Sequence, residues 1–298
     1  MNKEHNFVSA VVLASEQNID FLRQLYTVLD THFIHFEIII INPHAVKDGM
    51  LREREWARSV EAPVTIVNMS LKQPQEQCMN AGLDIAIGDY VYEFDSTYMP
   101  YDAEMIWEAY LLTQKGNDIV SVCPSKVSIW SKLFYKLFNA HSNAEYKLRT
   151  DAFRIISRRA INRVHAMNEN LPYRKAAYAV SGLKMAEIIF PGKITNQENR
   201  ERASLALDSI ILYTNYGFKI SIGITSFMML LTLAELAYAI FVYMTGKPVS
   251  GWSSTAVIIT VGFTGMFGIF TIMLKYLSII LRLIFKKQSY LIESIEKL

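Results

Sequence analysis

Residues 79–96 read MNAGLDIAIGDYVYEFDS and change from a helical pattern to a strand pattern within a few positions. We expect a helix over Gln75–Ile87 and a strand over Asp89–Phe94 that ends at Asp95. Short β-branched runs alternate with helical segments in the same way over residues 1–216. This alternation predicts an α/β domain with a Rossmann-like, mainly parallel sheet.

Polar or small residues follow several of the predicted strands. Because ligands bind at the carboxyl ends of strands in open α/β sheets, we expect these residues to line one crevice with Asp95. They are Ala14, Glu16, Asn42 and Ser96. The remaining strands are predicted at Val8–Leu13, Phe36–Ile41, Val64–Val67 and Asp118–Val122.

Composition excludes several classes of protein. Of the 298 residues, 51% are hydrophobic and 19% are charged, which argues against a disordered chain. A net charge of only +2 gives no field to hold nucleic acid through its phosphates. The two cysteines, Cys78 and Cys123, are too far apart in sequence for a CxxC pair and predict neither a disulfide framework nor a zinc site.

The apolar residues in excess of an ordinary core lie in the last third of the chain. Two runs, 220–244 and 255–274, contain one charged residue between them, Glu235, and each is long enough to cross a hydrocarbon core of about 30 Å. The connecting loop contains proline and glycine. We therefore predict a transmembrane hairpin over residues 217–274, with two buried helices of a soluble core as the alternative.

Charges flanking the hairpin predict its orientation. Lysines and arginines precede the first run and follow the second, whereas the loop contains only Lys247. By the positive-inside rule, we expect both termini and the α/β domain to lie on the cytoplasmic side of the cell membrane. Residues 275–298 mix apolar and charged positions and predict a cytoplasmic juxtamembrane amphipathic helix. Glu235 would be costly in lipid, which favours packing against another helix in a homo-oligomer.

Four stretches resemble the family-2 glycosyltransferases of the GT-A fold, in particular the branch that includes dolichol-phosphate mannose synthases and bactoprenol-phosphate glucosyltransferases. They are residues 79–96, the segment YMPYDAEMI at 98–106, the element DAFRIISRRAINRV at 151–164, and the two-helix hairpin with the segment after it. The resemblance covers nearly the whole chain, and the order of the elements is its most specific part.

The resemblance implies an inverting transfer of a sugar from a UDP- or GDP-linked donor to a polyprenyl phosphate, in synthesis of a cell-envelope polysaccharide. It implies catalytic roles for Asp95, Arg154 and Asp151, with Mg²⁺ or Mn²⁺ bound at Asp95. Further substrate contacts are implied at Ala14, Glu16, Asn42, Asn80, Gly82, Ser96, Arg200, Arg202 and Ser204.

Three positions depart from the family pattern. Asn42 stands where relatives have an acidic residue for the base, Thr97 replaces the second acid of the metal motif, and Ala152 precedes the Phe-Arg element in place of an acid. These departures support an alternative function, a catalytically impaired relative that serves as a binding or assembly partner. A transporter component has only the two spans in its favour.

Individual residues also have structural alternatives. Asp95 is either a ligand contact or a cap of the following turn. Arg154 is either a phosphate contact or part of an ion pair that fixes the fold. Asn80 and Gly82 are either ligand contacts or an ordinary turn and cap. The stretch IWSKLFYKLF at 129–138 predicts either a helix at the membrane interface or a core helix.

Overall fold

The structure is a computed structural model of the 298-residue chain. It describes residues 3–14, 18–43, 50–128, 131–132, 135–136, 139–140, 146–167, 174–193, 216–246, 251–284 and 290–298. Two units are present. The first takes in Met1–Ser209 and Lys286–Leu298, and the second is Ile210–Phe285.

The first unit is built on an eight-stranded sheet. Its strand order is β7-β5-β6-β4-β1-β2-β3-β8. Strands β6 and β8 run antiparallel to their neighbours, and the other pairings are parallel. The strands are β1 (Val8–Leu13), β2 (Phe36–Asn42), β3 (Val64–Met69), β4 (Tyr90–Phe94), β5 (Ile119–Lys126), β6 (Phe153–Ser157), β7 (Met185–Lys193) and β8 (Ile292–Lys297).

Helices connect the strands and cover the sheet. They are α1 (Ile19–His32), α2 (Leu51–Ala57), α3 (Gln75–Ile85), α4 (Met105–Thr113), α5 (Arg158–Ala166) and α6 (Arg174–Val180). Asn18 begins α1 because its side-chain oxygen accepts a hydrogen bond from the Phe21 backbone amide. All residues of β1 and β2 are buried, as expected of central parallel strands covered on both faces. The predicted α/β fold with a mainly parallel sheet is confirmed.

The C-terminal segment corrects one prediction. The amphipathic helix predicted over 275–298 continues only to residue 284, as the end of an apolar helix, and Ile292–Lys297 instead form strand β8. Strand β8 pairs with β3 because the edge of the sheet offers unpaired backbone groups. Arg54 reinforces this pairing through two hydrogen bonds of 2.8 Å to Glu296.

The second unit is a pair of long apolar helices, α7 (Tyr216–Thr245) and α8 (Trp252–Ile284). Both have a segment long and apolar enough to cross a membrane, with mean hydropathies of 1.9 over Ile222–Thr245 and 2.2 over Ser254–Leu277. Thr264 donates a hydrogen bond of 3.0 Å to Thr232 across the pair. The Glu235 side chain lies on the exposed surface of α7.

Candidate functional site

The carboxyl ends of three neighbouring parallel strands bring the predicted crevice together. In the order β4-β1-β2, Asp95 follows β4, Ala14 follows β1 and Asn42 ends β2. The Ala14 amide donates a hydrogen bond of 3.0 Å to the Ile41 carbonyl, which fixes the chain as it leaves β1. The structure thus brings Ala14, Asn42 and Asp95 to one edge. Glu16 lies outside the described residues.

Asp95 is held by two buried arginines. Arg154 Nη2 lies 2.9 Å from Asp95 Oδ2, and Arg174 Nη2 lies 2.6 Å from Asp95 Oδ1. The Arg154 and Arg174 side chains are 2% and 0% exposed. Arg154 is placed there because β6 lies beside β4, with Arg154 opposite Glu93 in the register. Arg174 is the first residue of α6.

Other charged groups complete what we call the Asp95 cluster. Glu93 Oε2 lies 2.9 Å from Arg154 Nη1 and 3.2 Å from Arg174 Nη1. Arg174 also donates from its backbone amide and its Nε to Glu76, at 3.0 and 2.8 Å. The cluster comprises Glu76, Glu93, Asp95, Asp151, Arg154, Arg174, Lys175 and Tyr178.

Asp151, predicted as catalytic, belongs to this cluster. Its carboxylate accepts a hydrogen bond of 3.0 Å from Arg154 Nε and pairs with the Lys175 ammonium. The side chain is buried. Both oxygens of Asp151 therefore face cations of the protein itself.

The same surroundings act in opposite ways on two carboxyl groups. Burial raises the pKa of Asp95, but Arg174, Arg154 and Lys175 outweigh burial and hold the pKa well below its usual range. For Glu93 burial is the larger effect and raises the pKa, although Arg174 and Arg154 oppose it. The cluster thus favours the ionised form of Asp95, whereas burial disfavours the ionised form of Glu93.

The residues at Asp95 do not fit a divalent cation. Mg²⁺ and Mn²⁺ require several hard oxygen ligands, preferably carboxylates. Each oxygen of Asp95 already accepts a hydrogen bond from a guanidinium group, and Thr97, the next oxygen of the motif, is neutral and 3% exposed. Within the part of the chain that the structure describes, no group of three or more His, Cys, Asp or Glu side chains could hold a metal ion.

The other predicted substrate contacts divide into three groups. Gly82 is buried in α3, where an added Cβ would meet Ile41 Cδ1 at 2.9 Å, so the position requires glycine for packing against the sheet. Asn80 lies half-buried on the same helix, and the Ser96 hydroxyl accepts a hydrogen bond of 3.1 Å from the Tyr98 amide in the turn after β4. Arg200, Arg202 and Ser204 lie outside the described residues.

A polar row extends from the end of β2 to the C-terminal strand. Asn42 Nδ2 donates to Asn68 Oδ1 at 2.9 Å, and Asn68 Nδ2 donates to Glu296 Oε1 at 2.7 Å. A carboxylate thus comes close to the position where the family pattern expects an acid, but from the other end of the chain. Sequence reasoning missed it because the two positions are more than two hundred residues apart.

A cavity opens at the same edge of the sheet, beside the carboxyl ends of β5 and β7. Its volume is about 480 Å³. Three cations line it, Lys132, Lys147 and Arg149. Arg149 lies 3.2 Å from Glu187. No described carboxylate pairs with Lys132 or Lys147. The Thr150 hydroxyl in its lining is buried and has no hydrogen-bond partner among the described residues. Apolar lining is contributed by Pro124, Val127, Leu148 and Ile189.

Sequence reasoning also missed Arg174 and Lys175. A signal for them exists, because an Arg-Lys pair opens the otherwise apolar helix RKAAYAV of α6. Cations on a helix that must be buried require buried partners. The partners could not be predicted, since Glu76 and Asp95 lie 98 and 79 residues away in sequence.

No family model matches the chain. Among curated proteins it is similar to an uncharacterized glycosyltransferase of Synechocystis, with 26% identity over 258 residues, 82% of this chain and 80% of that protein. It is also similar to the uncharacterized glycosyltransferase YkcC of Bacillus subtilis, with 20% identity over 79% of this chain and 76% of that protein.

The chain is also similar to two solved structures at low identity. One is the mannosyltransferase PcManGT of Pyrobaculum calidifontis in complex with GDP-Man and Mn²⁺, with a TM-score of 0.48 and 13% identity over 94% of this chain and 87% of that chain. The other is glucosyl-3-phosphoglycerate synthase of Mycobacterium tuberculosis with Mn²⁺, UDP-glucose and phosphoglyceric acid, with a TM-score of 0.48 and 14% identity over 69% and 78%.

Proposed function

We propose that this chain is a membrane-anchored, inverting glycosyltransferase that transfers a sugar from a UDP- or GDP-linked donor to a polyprenyl phosphate. One observation carries the proposal: a row of polar strand ends and a cation-lined cavity lie at one edge of the sheet, on either side of Asp95. Asn42 and Ala14 are on the β1–β2 side, and the cation-lined cavity is on the β5–β7 side. The similarity to two glycosyltransferases agrees with it.

The donor would bind on the β1–β2 side. An asparagine side chain offers both a donor and an acceptor to a nucleobase, and the Asn42 amide is oriented by Asn68. Parallel strands place ligands at their carboxyl ends, so the sugar diphosphate would lie toward Asp95. Asp95 then stands between the donor and the acceptor cavity.

The acceptor would place its phosphate in the cavity and its hydrocarbon chain along the apolar lining. Lys132 and Lys147, which pair with no described carboxylate, would supply positive charge for that phosphate, and the buried Thr150 hydroxyl would supply a further hydrogen-bonding group. A cavity that combines cations with apolar side chains suits an anion that is also a lipid.

The reaction requires little acid–base chemistry. An oxygen of the lipid phosphate attacks the anomeric carbon, the new C–O bond forms, and the bond to the diphosphate breaks with its electron pair leaving on the nucleoside diphosphate. Because the attacking phosphate is already an anion at neutral pH, no proton has to be removed. The locked state of Asp151 is consistent with a reaction that needs no base.

Membrane attachment and assembly follow from the helix pair. Helices α7 and α8 would cross the bilayer as a hairpin with the α/β domain on the cytoplasmic side. Glu235 lies on the exposed surface of α7, where lipid would leave a carboxylate without a partner. Packing of a second copy against that surface would give the homo-oligomer.

A second function is favoured by the Asp95 cluster itself. Every cation of the cluster contacts a carboxylate of the protein, so the chain could keep the fold and act as a binding or assembly partner without turnover. The two functions differ in whether a glycolipid product is formed.

The experiment is a transfer assay with the full chain in liposomes that contain undecaprenyl phosphate. UDP- and GDP-linked hexoses are supplied in turn, and the lipid is analysed by mass spectrometry for an added hexose. We expect one donor to give product, and Lys147→Glu to lower the rate at least about 10-fold, equivalent to one charge-assisted contact. Lys115→Glu, an exposed lysine after α4 and away from this edge, is the matched control. A folded protein that gives no product with any donor would favour the assembly partner.

A further inference from the structure

The acidic motif at the end of β4 is a site of internal ion pairs. Asp95 Oδ1 and Oδ2 each accept a hydrogen bond from a different arginine, at 2.6 and 2.9 Å. The Asp95 side chain is 17% exposed, whereas both arginines are buried. On this geometry, and resting on the proposed function, we infer that the chain binds its nucleoside diphosphate without a divalent cation.

Neither arginine is free to leave Asp95. Arg174 is anchored through its backbone amide and its Nε to Glu76. Arg154 is anchored through its Nε to Asp151. Moving either guanidinium aside for a metal ion would leave a buried carboxylate, Glu76 or Asp151, without its partner, which is strongly unfavourable.

Among the described residues, the acidic side chains next to Asp95 in the sequence already have other partners. Glu93 is fully buried and faces both arginines. Asp102 accepts a hydrogen bond of 3.1 Å from the Glu104 amide at the start of α4. Glu104 itself lies 3.5 Å from His32 Nε2. Asp102 and Glu104, the acidic side chains that follow the motif, therefore interact with the start of α4 and with His32 of α1.

Positive charge for the leaving diphosphate comes instead from the chain. Lys175, 13% exposed, is the most accessible cation of the Asp95 cluster. It lines a small cavity of about 20 Å³ together with Arg154 and Lys147. A fixed ammonium in a partly buried site stabilises developing negative charge without a metal ion.

The test is a titration of Mn²⁺ followed by electron paramagnetic resonance, in which the signal of free Mn²⁺ disappears on binding. The full detergent-purified chain is titrated alone and with UDP or GDP, beside Asp95→Asn and the exposed control Glu61→Gln. We expect the three proteins to bind the same amount of Mn²⁺ at each nucleotide concentration. We also expect the affinity for the nucleotide to change less than about twofold, or about 0.4 kcal/mol, when EDTA replaces Mn²⁺.

A Mn²⁺ site that appears with nucleotide and is lost in Asp95→Asn would overturn the inference. So would nucleotide binding that requires Mn²⁺. Failure of the proposed function looks different, because then no nucleotide binds with or without metal. In that case the Mn²⁺ titration of the wild type is still informative, because a wild type that binds no Mn²⁺ has no metal ion at Asp95. This result does not require Asp95→Asn to fold.

Discussion

At the scale of single residues, the site depends on buried charge that is balanced within the protein. Arg174 contacts three carboxyl groups, Glu76, Glu93 and Asp95, and is completely buried. A buried cation of this kind stabilises the fold only while all its partners are in place, because each carboxylate has also lost its water.

Replacing Arg174 should therefore destabilise the chain strongly. We expect Arg174→Met to lower stability by about 3–5 kcal/mol or to prevent folding, since it leaves two buried carboxyl groups and the partly exposed Asp95 without their common partner. The measurement is the melting temperature of the detergent-purified protein. Arg23→Met is the control, because Arg23 forms an exposed i,i+3 pair with Asp20 and such pairs contribute less than about 1 kcal/mol. Equal melting temperatures for the two variants would contradict the role of the cluster.

Gly82 gives a second prediction at this scale. A methyl group there would collide with the side chains of Ile41 and Val11, so Gly82→Ala should cost about 1–3 kcal/mol by overpacking. Gly265→Ala, at a helix position with open space around the added carbon, should be neutral or slightly stabilising. If Gly82→Ala instead lowers nucleotide affinity without changing the melting temperature, the glycine belongs to the ligand site.

At the scale of elements, prediction from sequence succeeded where hydrophobic patterns are continuous. Strand β1 was predicted with its observed ends, and β2 within one residue, because both are short segments rich in valine or isoleucine. The C-terminal strand was predicted as a helix. Its sequence IESIEK has apolar residues three apart, which suits one face of a helix as well as an edge strand. The segment forms a strand because the edge of β3 is available for pairing, and this depends on the tertiary structure rather than on the local sequence.

For the predicted ligand-contact residues, the sequence indicates where they lie but not which groups surround them. The positions of Ala14, Asn42 and Asp95 could be predicted because topology alone brings strand ends together. The state of Asp95 could not, because it depends on Arg174, which reaches the site from a helix far along the chain.

Strand β8 should give the stability of the α/β domain a dependence on pH. The hydrogen bonds from Arg54, and then from Asn68, lower the pKa of Glu296 in the folded state. The stability that this pair contributes is therefore present above the unfolded pKa of about 4.3 and is lost as the pH falls through the folded pKa. Because Glu296 is partly exposed and screened, we expect Glu296→Gln to cost only about 1 kcal/mol at neutral pH.

The check is thermal melting of wild type and Glu296→Gln between neutral pH and acid. The difference in melting temperature between them should shrink as the pH falls below the unfolded pKa. Glu61→Gln, with an exposed side chain, should show no such convergence. A difference that stays constant in acid would mean that the carboxylate charge has no part in holding β8.

At the scale of the whole molecule, the two ends of the helix pair return to one domain. Strand β8 pairs with β3, and residues 216–284 with their two apolar helices lie between the rest of the sheet and β8 in sequence. A chain that must rejoin its own sheet crosses a bilayer an even number of times. If both helices cross a bilayer, as we propose, the connection between α7 and α8 lies on the opposite side from both chain ends.

Cysteine labelling tests this topology. Ser254→Cys, near the start of α8, should react with a membrane-impermeant thiol reagent added outside intact cells, whereas Ser59→Cys, after α2, should react only after lysis. The wild type is the background control, because Cys78 and Cys123 are buried. Labelling of both variants from the same side would contradict a membrane-spanning hairpin.

The central claim is that the edge formed by β4, β1 and β2 binds a nucleoside diphosphate. The most direct measurement is calorimetric titration of UDP and GDP into the full chain in detergent, for wild type, Asn42→Ala and Glu61→Gln. We predict that one of the two nucleotides binds, that Asn42→Ala weakens it about 10-fold through the lost hydrogen bonds to the base, and that Glu61→Gln does not. Absence of binding by either nucleotide to wild-type protein that melts cooperatively would contradict the account.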